Sequence, residues 1–169
     1  MALIFETKDF LVETPDVKPH HSRSNGGHVK VSPKIDIDHR QELPLDIAAG
    51  LMHLTIVAGE AVANIMRANG IDVVRINYQD NGNWAHRPDR NKKNHLHVHL
   101  YVRSNGEKHP DNDERFRAFP DALVFPGPDT NYYDNFEPLT EKDCHDIKQE
   151  ILRLLETDKY KGAAFNYGV

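Results

Sequence analysis

The chain has 169 residues, 38% of them hydrophobic and 28% charged, with a formal net charge of −5. That length suits one domain with its own core, and the acidic balance argues against a general nucleic-acid binder, which carries a basic surplus. The single cysteine, Cys144, excludes an intrachain disulfide or a cysteine-based zinc cluster. The opening residues, Met1 to Lys8, lack the apolar core of a signal peptide, and no run approaches the roughly 20 apolar residues that cross a bilayer. A cytoplasmic protein with neither nucleic acid nor membrane as partner is the expectation.

Residues 3–6 and 10–14 are β-like, broken by Lys8-Asp9 and ended by Pro15. Residues 15–27 are rich in Pro, His, Ser, Asn and Gly and read as loop. Val29 and Val31 alternate with Lys30 and Ser32 in a strand closed by Pro33. Leu43-Pro44 opens the longest helix, where proline is tolerated in the first turn. Ile47, Leu51, Leu54, Ala58, Val62 and Ile65 recur at helical spacing as one apolar stripe, and Asn69-Gly70 stops the helix. Leu45, Ala48, Met52, Ile56, Val57, Ala61 and Met66 lie outside or beside that stripe, so a second apolar face is expected.

Ile71 to Tyr78 is the next strand, and Gln79 to Asn94 a long polar connection. Residues 95–103 then read His-Leu-His-Val-His-Leu-Tyr-Val-Arg. Residues 104–115 look like an exposed loop, and 116–136 an irregular but packed segment. Thr140-Glu-Lys-Asp143 has capping-box spacing, and Cys144, Ile147, Ile151 and Leu154 mark a helix to about residue 157. The Gly-Ala-Ala-Phe-Asn-Tyr tail reads as frayed. No internal repeat is present. Strand, helix, then two strands imply an α+β meander with helices on one face.

The 95–103 segment carries the chemistry. A strand sends successive side chains to opposite faces, so His95, His97, His99, Tyr101 and Arg103 share one face. Leu96, Val98, Leu100 and Val102 anchor the other. Three readings are open. The polar face can be idle. Two of the imidazoles can ligate zinc with a remote third group, although His95 and His99 stand about 13 Å apart along a strand, too far to share one ion. Or one imidazole is a nucleophile that its neighbours orient.

At these residues the sequence resembles the histidine triad (HIT) family, whose motif is three histidines alternating with apolar residues. His95-Leu-His97-Val-His99-Leu-Tyr matches it. Gly27-His28-Val-Lys-Val-Ser-Pro-Lys34 is similar to the family's Gly-His strand ending in Pro-Lys. A helix follows, then Val73-Val-Arg-Ile-Asn77 as the strand ending in Asn, then the Gly-containing turn Asp80-Asn-Gly82-Asn83. These features keep family order from about residue 3 to 103. The resemblance implies an α+β HIT-like fold: an antiparallel meander sheet, a long helix between strands and a C-terminal helix. Residues 1–103 would be the core, with 104–169 an extension packed on the same domain.

The resemblance also implies a reaction. The central histidine, His97, would attack the α-phosphorus of a purine nucleotide or dinucleotide, giving a nucleotidyl-histidine that water or another acceptor removes. His95 and His99 flank it, Asn77 orients the site, and His28 is a fourth active-site histidine; Lys34 is a weaker candidate. A largely neutral imidazole at pH 7 needs no activating metal, so no cofactor is expected beyond Mg²⁺ carried by a substrate. A homodimer is implied, with the helix from Leu45 to Asn69 as interface.

One departure is plain. The family's Gly-Gln-Ser or Gly-Gln-Thr just before the triad is replaced by Gly82-Asn83-Trp84 and ten further residues. Gly82 and Asn83 are candidates for substrate binding, with Asn83 in place of the family amide. Arg87 and Arg90, beside Lys92 and Lys93, are candidates for a polyphosphate or an anionic leaving group. The alternatives are a metal-dependent hydrolase or oxygenase using two triad histidines, and a nucleotide-binding regulator without turnover.

Overall fold

A computed structural model describes residues 2–15, 21–80, 95–105, 134 and 136–161. The first alternating segments form a hairpin of β1 (Leu3–Glu6) and β2 (Phe10–Glu13). Thr7 closes its turn, since Thr7 Oγ1 accepts from the Phe10 amide at 2.9 Å. β3 (His28–Pro33) pairs with β2, and α1 (Leu45–Ala68) carries the chain across to β4 (Val73–Gln79). β5 (Val98–Ser104) then returns between β3 and β4. The result is one antiparallel sheet in the order β1-β2-β3-β5-β4. This is the expected α+β meander, with an interior strand, β5, that begins within the histidine segment and carries His99.

α2 (Glu141–Leu155) begins where its capping box predicts. Thr140 Oγ1 accepts from the Asp143 amide at 3.1 Å, and Asp143 Oδ2 accepts from the Thr140 amide at 2.8 Å. A short helix, α3 (Asp158–Lys161), follows. Val29, Val31, Val98, Leu100 and Val102 form the sheet's contribution to one apolar core with Leu51, Leu54, Ala58 and Val62 of α1 and Ile147, Ile151 and Leu154 of α2. Truncating a fully buried leucine such as Leu54 to alanine would cost about 2–5 kcal/mol.

Several expectations need correction. Val57, Ala61 and Met66 do not form an exposed second face: all three are fully buried, because α1 packs against both the sheet and α2. Asn64 Nδ2 donates to Glu150 Oε1 at 2.8 Å across that helix pair. Leu45, Met52 and Ile56 remain exposed. α1 is also long and apolar enough to cross a membrane by composition, contrary to the reading of the sequence, but half of its most apolar stretch is buried within the protein. Gly59 faces β4: a Cβ there would collide with the Tyr78 hydroxyl and come 3.1 Å from Ile76 Cδ1, so the Tyr78 side chain could not keep its place against a larger residue.

Candidate active site

Cross-strand register decides which side chains meet. Residues directly opposite one another in an antiparallel ladder share a face. His99 stands between Lys30 of β3 and Gln79 of β4, and Lys30 in turn faces Glu13 of β2. Tyr101, next on the same face, stands between His28 and Asn77. The helices take the opposite face through the valines and leucines of the core.

The histidines do not all behave as one strand row. The ladder begins only at Val98, and His95 to His97 precede it. Leu96 holds this lead-in segment, donating its amide to the Ile37 carbonyl at 3.0 Å. His95 Nε2 donates to the Pro33 carbonyl at 2.9 Å, which turns its ring toward the end of β3. His97 Nδ1 donates to the His95 carbonyl at 2.6 Å. Its other nitrogen, Nε2, lies 3.0 Å from His99 Nε2, and His99 Nδ1 lies 2.9 Å from His28 Nε2.

These contacts assign the tautomers. A carbonyl oxygen only accepts, so His97 Nδ1 carries the hydrogen and a neutral His97 has its lone pair on Nε2. His99 Nε2–H must then donate to that lone pair. Neutral His99 accepts on Nδ1, and His28 Nε2–H donates to it. A single directional chain runs from His28 through His99 to His97 and the His95 carbonyl. Ring contacts hold it in place: the His28 and Tyr101 centroids lie 4.4 Å apart, and the His99 ring stacks on Tyr101 at 5.5 Å. Tyr101 and His28 are both buried, so His28 is not the half-exposed strand residue that a lone histidine suggests.

Burial pushes the His97 pKa below its ordinary 6.5, against the opposing pull of the His95 carbonyl; the Lys30 charge lowers it further and Asp80 opposes. The ring is therefore neutral at pH 7, with the Nε2 lone pair facing the donor of His99.

The loop before β3 is fixed from behind. Val102 donates its amide to the Gly27 carbonyl at 3.1 Å, and His21 Nε2 donates to the Val102 carbonyl at 2.8 Å. Gly26 has φ of +122°, and a Cβ there would strike the Val102 carbonyl oxygen. Arg23 makes a two-pronged ion pair with Asp143 at 2.6 and 2.9 Å, tying this loop to the start of α2. Burial alone would raise the Asp143 pKa. The bonds from Arg23 and Thr140 outweigh it and hold the carboxyl at about 2.

Of the residues singled out in the sequence, His28, His97 and His99 form the chain, Asn77 shares their face, and His95 contributes its carbonyl rather than its ring. Lys34 pairs with Glu6 at 2.7 Å, and both side chains are partly exposed. Gly82, Asn83, Arg87 and Arg90 fall outside the described residues, as do 106–133 and 162–169. Lys30, Glu13 and Gln79 were missed. Counting by twos from His28 and from Asn77 would have found Lys30 and Gln79. Gln79 Oε1 is buried with no partner among the described residues. Among those residues no three or more His, Cys, Asp or Glu side chains are grouped to hold a metal.

Neither a protein-family profile nor a curated protein sequence matches the chain. Solved structures do. A hypothetical histidine triad nucleotide-binding protein from Sulfolobus tokodaii is 18% identical over 97% of this chain and 91% of that one, with a TM-score of 0.56. A Zn-bound histidine triad family protein from Mycobacterium smegmatis is 22% identical over 91% and 87%, with a TM-score of 0.53. A histidine triad protein from Marinobacter aquaeolei is 18% identical over 92% and 88%, with a TM-score of 0.52. The chain has the histidine-triad fold.

Proposed function

We propose that this protein is a nucleotide hydrolase or nucleotidyl transferase acting at the α-phosphate of a purine nucleotide or dinucleotide through a covalent intermediate on His97. The observation that carries this reading is the 2.6 Å bond from His97 Nδ1 to the His95 carbonyl. It leaves Nε2 as the attacking atom and supports the positive ring that forms on attack. The histidine triad nucleotide-binding protein of Sulfolobus, similar in fold, supports the class of ligand.

In the first step His97 Nε2 forms a bond to phosphorus while the bond to the leaving group breaks. The leaving group departs with the bonding pair and takes a proton from solvent water. His99 turns its Nε2–H from His97 to a phosphoryl oxygen, and Asn77 steadies the same region. In the second step water, or another acceptor, bonds to phosphorus and gives up its proton to solvent as the phosphorus–nitrogen bond breaks, and the bonding pair returns to His97 and restores the neutral ring. Gly82 and Asn83 complete the phosphate contacts in this reading, and Arg87 and Arg90 take a polyphosphate or an anionic leaving group. The reaction proceeds without a resident metal in a cytoplasmic homodimer. Residues 1–103 supply the site, and 104–169 pack on them as an extension of the same domain.

Labelled dinucleoside polyphosphates, nucleotide sugars and nucleoside phosphoramidates, quenched with denaturant after milliseconds to seconds, should give a mass adduct on His97. His97→Ala should lose about 10⁴-fold or more in kcat with its fold intact, and His97→Gly should regain turnover with added imidazole. A fully active His97→Ala protein would end this reading.

A further inference from the structure

Lys30 is out of keeping with the apolar residues on either side of it. Its neighbours Val29 and Val31 are fully buried on the helix face, whereas Lys30 points to the face of the histidine chain. Directly opposite residues in an antiparallel ladder have Cα atoms roughly 4.5–5.5 Å apart, so the Lys30 stem starts beside His99. Its side chain is 15% exposed and lies 3.6 Å from Glu13, itself only 9% exposed. A partly buried ion pair recovers little of its desolvation cost, and this one is longer than a hydrogen bond. Cross-strand pairing alone would be served as well by an apolar residue like Val29 or Val31.

We infer that Lys30 is a further residue of the reacting site, which binds a non-bridging phosphoryl oxygen of the substrate and leaves Glu13 to do so. The inference rests on the phosphoryl chemistry proposed above. In the resting protein Glu13 holds the ammonium in place and balances its charge. When a phosphoryl group reaches the Nε2 atoms of His97 and His99, its anionic oxygen competes with the Glu13 carboxylate for the same cation. Lys30 then opposes the developing negative charge while His99 donates from the neighbouring strand.

The same placement affects protonation. Among the described residues, the charged or titratable groups facing His97 are His95 and His99 on its own segment, His28 and Lys30 on β3 and Asp80 just after β4, with Glu13 on β2 behind Lys30 and Arg40 paired to Asp80 at 3.6 Å and so offset by it. Of these, Lys30 is the permanent cation whose charge acts on His97. It disfavours a proton on His97 and so widens the pH range in which the nucleophile is neutral.

Lys30→Met, Lys30→Arg and Glu13→Gln separate this role from a structural ion pair. Lys30→Met should weaken calorimetric binding of AMP at least tenfold, raise KM similarly, and shift the acidic limb of kcat/KM and the NMR titration of His97 to higher pH. Lys30→Arg should recover most of the binding. Glu13→Gln should keep or tighten it, because it releases the cation. If Lys30→Met alone misfolds, the Lys30→Met/Glu13→Gln double variant leaves no uncompensated charge and carries the same readouts. Binding within twofold of wild type in the Met variant overturns the inference, as does equal loss in all three single variants. A wild-type protein that forms the His97 adduct while Lys30→Met loses nothing refutes Lys30 alone. The absence of any adduct in wild type refutes the reaction on which Lys30 depends.

Discussion

His99 donates its Nε2 hydrogen to the lone pair of His97, Nε2 to Nε2, at 3.0 Å. In the resting protein one triad histidine therefore occupies the lone pair of another, and under the proposed reaction substrate must take over that hydrogen. The direction of the donation is set by His28, which donates to His99 Nδ1 at 2.9 Å from the adjacent strand.

Removing His28 should consequently act through His99. His28→Phe keeps the ring against Tyr101 but deletes the donor, so His99 can adopt its other tautomer and lose its phosphate-facing hydrogen. About a tenfold fall in kcat is expected, the worth of one buried hydrogen bond. His28→Gln, which retains an N–H donor, should recover part of it. His99→Ala should cost more, about 10²-fold, because it removes a donor aimed at the charge that develops. Steady-state kinetics of the three variants check this order; a His28→Phe enzyme slower than His99→Ala would contradict it.

Asp143 should dominate the acid limb of stability. Its pKa falls from 3.8 to about 2 in the folded protein. A depressed carboxylate pKa stabilises the fold above the unfolded value, and this contribution disappears as pH falls through the folded value. About 2 kcal/mol should therefore be lost between pH 4 and pH 2. Asp143→Asn should flatten that part of the urea-melt profile. It should also slow turnover modestly, because Arg23 would no longer pin the loop that leads into His28.

Chelation offers a test of the metal question. Activity on phosphoramidates should survive prolonged EDTA treatment within twofold, while long polyphosphates should respond to Mg²⁺ bound to the substrate itself. Zinc at one equivalent in the purified protein, with activity lost on its removal, would favour a metalloenzyme using His97 and His99.

Assembly should depend on one surface. Among the described residues β4 is an edge strand with Val74 and Tyr78 exposed, and α1 presents Met52 and Ile56, 56% and 43% exposed. Unpaired strand edges and apolar helix faces are what a symmetric contact covers. Light scattering should give a dimer, and Ile56→Glu should produce monomers with the same circular dichroism. A wild-type monomer with full activity at nanomolar concentration would show that the dimer is dispensable.

Local rules reached far into this protein. Alternation by two identified the strands and put His97, His99 and Tyr101 on one face. Helical spacing located α1, and four residues around Thr140 marked the start of α2 to the residue. These signals were legible because periodicity and capping act within one or two turns of chain. They also set the apolar face of β5 against the core without reference to any partner strand.

Register could not be read that way. The pairing of His28 with Tyr101 and of Lys30 and Gln79 with His99 joins segments 50 or more residues apart in places, and nothing local specifies which residue of one strand faces which of another. The same holds for the turn of His95 onto the Pro33 carbonyl, which takes its ring out of the row that alternation predicted. Burial of Val57, Ala61 and Met66 likewise followed from a second helix packing on α1, a choice made by long-range hydrophobic contact. The sequence by itself determined which residue types were available to the site. Tertiary pairing decided which nitrogen carries each proton, because a tautomer is set by the partner across the sheet.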